Sequence, residues 1–190
     1  MKIHFWEKFP KLYDWIQVLA TGGYLSKISK DLQFLKNKSV LDIGCGTGTL
    51  IEYLNPKSYS GVDINSDFIK LAKKKYPGFE FKILNIVDEK FPNGKFEFVF
   101  MMNVLHHLTD DQIIKVFKKI KKSGYTREFV IVESKPDNLF GKFLGKFDAG
   151  SNFREYHNLR DIIEKHFKIK SIKIITAPIG TYKYLIARCR

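Results

Sequence analysis

Apolar positions recur along this chain with two periods. Over residues 4–37 the spacing is helical. Phe9, Leu12, Tyr13, Ile16 and Leu19 share one face, and after Gly22-Gly23 so do Leu25, Ile28, Leu32 and Leu35. From Ser39 onward, short apolar runs alternate with amphipathic stretches. The runs predict strands near 39–43, 58–63, 79–84, 96–102, 127–133, 169–176 and 182–188. The stretches between them predict helices near 47–54, 66–75, 110–122 and 158–167.

Local punctuation supports several of these elements. Thr109-Asp110-Asp111-Gln112 reads as a capping box, in which the threonine accepts from a backbone amide and the glutamine reaches back. Acids open that helix and Lys118, Lys119, Lys121 and Lys122 close it, as the helix dipole favours. Ser66 opens another helix, which Pro77-Gly78 ends behind Lys73, Lys74 and Lys75.

Strand and helix in alternation call for a mostly parallel sheet with helices on both faces. The last two strands are separated only by Ala177-Pro178-Ile179-Gly180-Thr181, too short a link for a parallel crossover. The expectation is therefore an α/β fold: a seven-stranded, mostly parallel sheet ending in an antiparallel hairpin. A single domain of 190 residues has room for that architecture. Within it we read a helical cap over 1–38, a cofactor-binding core over 39–133, a substrate and lid segment over 134–157, and a last helix with the hairpin over 158–190.

Composition narrows the setting. Cys45 and Cys189 form no disulfide framework and have no metal-ligand spacing. No apolar stretch reaches the roughly 18 residues of a membrane helix. Glu7, Lys8, Lys11 and Asp14 interrupt any apolar core of a signal peptide. These features predict a cytoplasmic protein. The net charge of +13 leaves RNA open as a partner, although 28 lysines among 33 basic residues also describe an ordinary charged surface.

The chemistry concentrates in Val40-Leu41-Asp42-Ile43-Gly44-Cys45-Gly46-Thr47-Gly48. An apolar run ends in an acid, three glycines alternate, and Asp63 follows in Gly61-Val62-Asp63. A strand that turns tightly beneath a nucleoside, and a second strand that brings an acid to its ribose, give this pattern. A phosphate-binding P-loop is excluded, because no Gly-Lys-Ser/Thr follows. The nicotinamide fingerprint Gly-x-Gly-x-x-Gly is not met either, since position 49 is threonine.

On these residues the chain resembles the class I S-adenosylmethionine-dependent methyltransferases. Residues 40–48 are similar to that family's first motif and Gly61-Val62-Asp63-Ile64 to its second. The segment Phe91–Phe100 resembles the entry to strand four, and Val104-Leu105-His106-His107-Leu108 the motif after it. The resemblance implies S-adenosyl-L-methionine as cofactor and S-adenosyl-L-homocysteine as product. It implies that Gly44, Cys45, Gly46 and Gly48 line the methionine and ribose, with Asp42 near the ammonium group and Asp63 on the ribose hydroxyls. Ile64, Asn85 and Ile86 would meet adenine, and Asn103 the methionine.

The acceptor is less constrained. Residues 101–104 lack the Asn/Asp-Pro-Pro-aromatic signature of exocyclic-nitrogen enzymes, neither cysteine suits cytosine-C5 chemistry, and the acid of metal-dependent catechol enzymes is missing. No metal is expected. His106 and His107 are candidate proton acceptors. Tyr13, Arg154, Tyr156 and His157 are candidate substrate contacts, within a lid that Phe140, Phe143, Phe147, Phe153 and the first helix's aromatics would form. Transfer to a small-molecule or lipid-like acceptor on oxygen or carbon is the expectation. An RNA or protein methyltransferase and a non-catalytic, cofactor-binding regulator are the alternatives. The oligomeric state is left open.

Overall fold

The computed structural model describes residues 24–124, 128–145, 152–177 and 181–190. Seven strands form one sheet: β1 (Ser39–Ile43), β2 (Ser58–Asp63), β3 (Glu80–Ile83), β4 (Phe98–Met102), β5 (Glu128–Pro136), β6 (Ile169–Thr176) and β7 (Tyr182–Cys189). Their spatial order is β3-β2-β1-β4-β5-β7-β6, parallel from β3 to β5, with β7 antiparallel to both β5 and β6. The short link before Tyr182 thus makes the expected hairpin.

Alternation along each strand sends successive side chains to opposite faces, and both faces are buried. Val40, Tyr59, Phe98, Phe100, Val130 and Tyr184 face one side. They pack there with α1 (Tyr24–Asp31), α2 (Leu50–Leu54) and α3 (Ser66–Lys75) through Ile28, Leu32, Ile51, Leu54, Ile69 and Ala72. Leu41, Ile43, Val99, Met101, Phe129 and Ile131 face the other side. Their partners are Ile113, Val116 and Phe117 of α4 (Asp110–Ser123) and Leu159 and Ile163 of α6 (Tyr156–Glu164). The Thr109–Gln112 capping box is present in full.

Some boundaries move. The helical reading of 4–37 is cut at Asp31, where a 3-10 turn at Gln33–Leu35 takes over; residues 1–23, with Tyr13, lie outside the described residues. The helix expected from 47 starts at Leu50, because the glycine turn runs on and the Thr47 and Thr49 hydroxyls pair at 2.9 Å. Ser66 opens α3 as expected, and Asn65 before it is the cap, accepting from the amides of Asp67 and Phe68. The lid segment is more regular than expected. β5 continues to Pro136, and Leu139–Gly145 forms α5. Gly141 is there for space rather than mobility, since a Cβ at that position would stand 2.1 Å from the carbonyl oxygen of Thr181.

Candidate active site

Strand order reverses between β1 and β4, and ligands of open α/β sheets settle at the carboxyl ends of strands at such a point. The turn after β1 lies there. Gly44, Gly46 and Gly48 all adopt positive φ, at 78°, 54° and 76°. Gly44 and Cys45 donate their amides to the Val62 carbonyl, at 2.7 and 3.1 Å, which ties the turn to β2. A Cβ on Gly44 would stand 2.3 Å from Val104 Cγ2, so the turn presses directly on the segment after β4. A Cβ on Gly46 would meet nothing within 4 Å. That glycine therefore faces open space, as backbone approached by a ligand should.

Asp63 ends β2 beneath this turn. Its carboxylate accepts from Gly46 N–H at 2.9 Å and from Asn65 N–H at 2.8 Å. Burial pushes its pKa up, opposed by the amides of Asn65, Gly46 and Ile64. The Ile64 side chain beside it is 41% exposed. Asp42 is buried more deeply and accepts from the Tyr59 hydroxyl. Burial pushes its carboxyl up to about 7; the tyrosine bond opposes the rise and the charge of Asp63 adds to it. Among the described residues no cationic side chain pairs with either acid.

Cys45 is buried, with Sγ against the place where a Gly61 side chain would stand. Burial, Asp42 and Asp63 all raise its pKa, so it fills space and does not act as a nucleophile. Asn85 spends its side chain locally: Oδ1 accepts from Val87 N–H at 3.0 Å and Nδ2 donates to Asp88 at 2.9 Å. The carbonyl of Ile86 accepts from Lys119 Nζ at 2.7 Å. Asn103 closes β4 in a left-handed conformation, φ 54°, and its amide reaches the Val132 carbonyl at 2.8 Å.

The segment after β4 carries the histidines. Leu105–His107 form a 3-10 turn, and His106 is buried. Its Nδ1 meets the buried carboxylate of Glu133, in β5 just beyond the end of its pairing with β4, which also accepts from Leu105 N–H at 2.9 Å. The Phe153 ring stacks on His106 at 4.8 Å and His107 lies beside it at 4.3 Å. Sequence reasoning passed over Glu133, although a lone acid closing the apolar run Phe129–Val132 was a signal that a buried charge needs a partner.

Arg154 corrects an expectation. Its guanidinium donates to the carbonyls of Leu105, Asn152 and Leu108 and to the carboxylate of Asp110. It straps residues 152–155 onto the histidine turn, which commits a side chain expected among the substrate contacts. His157 is exposed on α6 beside Glu155. Tyr156, at the start of α6, packs against the core, and its hydroxyl is buried without a hydrogen-bond partner among the described residues. No group of three or more potential metal ligands gathers among the described residues, and no helix there is long and apolar enough to cross a membrane.

Residues 40–123 match a family model described as a methyltransferase domain. Phosphoethanolamine N-methyltransferase of Plasmodium falciparum is 29% identical over 123 residues, 59% of this chain and 46% of the relative. Ribosomal RNA small subunit methyltransferase A of Mesomycoplasma hyopneumoniae is 32% identical over 94 residues, 46% of this chain and 35% of the relative. The chain thus spans less than half the length of these curated relatives. A solved SAM-dependent methyltransferase of Aquifex aeolicus superposes with a TM-score of 0.71, covering 100% of both chains at 16% identity.

Proposed function

We propose that the chain is a class I S-adenosylmethionine-dependent methyltransferase that binds S-adenosylmethionine at the turn after β1 and methylates a small-molecule or lipid-like acceptor on oxygen or carbon. One observation carries the cofactor reading. Asp42 is buried and Asp63 half-buried, and neither has a cationic partner among the described residues, in a chain of 33 basic residues. Buried carboxylates without a counter-charge are costly. A ligand that carries its own sulfonium and ammonium groups compensates them; a phosphate-bearing nucleotide does not.

The residues fit such a ligand. The open face of Gly46 admits a close backbone approach. Each Asp63 oxygen keeps acceptor capacity beyond its amide bond, which suits ribose hydroxyls. Ile64 offers apolar surface to adenine, and Asn85 and Ile86 stand at the tip beyond β3. Asp42, under the turn, would meet the ammonium group. Asn103 would border the methionine. When bound, the cofactor supplies a methyl carbon activated by its sulfonium. What remains for this chain is to align the acceptor in line with that carbon and to exclude water. Base catalysis by His106 or His107 enters only for an acceptor that must lose its proton early.

A second reading, an RNA acceptor, is favoured by the charge of +13 and by the ribosomal RNA relative. One experiment separates the two. The protein is incubated with methyl-labelled S-adenosylmethionine and cell extract, and the labelled product is identified by mass. Label in a small or lipid-like molecule supports the proposal. Label in RNA, or none in any fraction, contradicts it.

A further inference from the structure

The end of β4, and the part of β5 just beyond it, hold a polar group that the cofactor reading does not use. The glycine turn abuts Val104, Leu105 and His106 follow, and both rest on Glu133. From the other side, the strap through Phe153 and Arg154 brings in Tyr156. The Tyr156 hydroxyl is buried and makes no hydrogen bond with the described residues. Glu133, Asp137 and Glu155 face it electrostatically. Asp137 is matched by Lys183 and Glu155 by Lys135, whereas among the described residues Glu133 is met by the imidazole of His106 and the amide of Leu105 and by no lysine or arginine.

We propose that Tyr156 and Glu133 form the acceptor's polar subsite, one that takes a non-anionic hydroxyl or amine group. The proposal rests on the methyltransferase reading and names its substrate class. A buried hydroxyl without a partner weakens a fold, and phenylalanine would fill the same place without that cost. Its presence is explained by a ligand that completes its bonding. Burial pushes the phenol's pKa up, so it stays neutral and can both donate and accept. A carboxylate or phosphate at this point would be repelled by Glu133. A hydroxyl or amine can donate to that carboxylate while it bonds Tyr156.

The Tyr156→Phe variant of the full chain tests this in three measurements. Its thermal midpoint should equal or exceed the wild type's, because an unsatisfied hydroxyl is removed. Affinity for S-adenosylhomocysteine, read by calorimetry, should stay within about twofold, and transfer of label from S-adenosylmethionine to the extract's acceptor should fall about tenfold or more, as for one lost hydrogen bond. A lower midpoint would make the hydroxyl structural and overturn the proposal. So would undiminished transfer, or a product methylated on a carboxylate or phosphate oxygen, or a wild type that binds S-adenosylhomocysteine but labels nothing. A wild type that fails to bind S-adenosylhomocysteine would instead remove the methyltransferase reading on which the proposal stands.

Discussion

The backbone N–H of Gly46 donates to the carboxylate of Asp63 across 2.9 Å. This bond ties the turn after β1 to the tip of β2, so the residue proposed to hold the ribose also shapes the backbone that approaches it. Loop and acid form one unit, set by two neighbouring parallel strands whose register pairs Asp42 with Gly61 and Ile43 with Val62.

Replacing Asp63 with alanine removes both functions. Affinity for S-adenosylhomocysteine should fall by about 1–3 kcal/mol, the range for hydrogen bonds to a charged group. Calorimetry on the variant checks it, and an unchanged affinity would take Asp63 out of the site.

Two of the glycines should respond differently to alanine. Gly44→Ala combines a left-handed φ with a Cβ only 2.3 Å from Val104 Cγ2. Strain and overpacking together should cost about 2–5 kcal/mol of stability. Gly46→Ala meets no atom within 4 Å, so it should cost only the left-handed penalty of about 1–2 kcal/mol while obstructing the cofactor. Denaturant melts alongside S-adenosylhomocysteine titrations separate the two; equal stability losses would refute the assigned geometry.

The fold of the empty protein should depend on pH through Asp42. Burial raises its carboxyl from an ordinary 3.8 to about 7, so the folded state binds the proton more tightly than the unfolded chain. That contribution is fully present below about pH 4 and is lost as pH rises to about 7. Asp63, also raised, acts with the same sign. Glu128 opposes them at lower pH. It is buried, which works against ionisation, yet its bonds to Lys170 and Arg188 hold its pKa low. Its stabilisation is present above the unfolded value near 4.3 and is lost on further acidification. Thermal midpoints across this range should decline from mildly acidic to neutral pH in the wild type and decline less in Asp42→Asn. Parallel curves would contradict the assignment.

Arg154 is predicted to matter for the strap rather than for an anionic substrate. Arg154→Ala strips donors from the carbonyls of Leu105 and Leu108 and from Asp110, and should cost about 2–3 kcal/mol in denaturant unfolding. Lysine should restore only part of it, lacking the planar fork. A fully stable alanine variant would return Arg154 to the list of substrate contacts.

Most of the sheet was legible in the sequence because parallel strands buried on both faces leave continuous apolar runs. The predicted spans of β1 and β2 coincide with the observed ones, as does that of β6, an antiparallel edge strand. The turn after β1 was legible because three alternating glycines take its positive φ angles without the penalty a Cβ brings. What escaped depends on contacts distant in sequence. Glycine at 141 suggested a loose lid, but the Thr181 carbonyl 40 residues away explains it and α5 forms around it. Arg154 offered a charge, and only the fold shows that charge folded back on residues 105–110. The Asn85 amide, expected at adenine, also bonds its own turn, as short polar side chains after a strand readily do.

The central claim is that the turn after β1 and Asp63 hold S-adenosylmethionine. Parallel calorimetric titrations with S-adenosylhomocysteine and with NAD test it most directly. The account predicts saturable binding of S-adenosylhomocysteine, weakened in Asp63→Ala, and no binding of NAD. Binding of NAD without S-adenosylhomocysteine would contradict it.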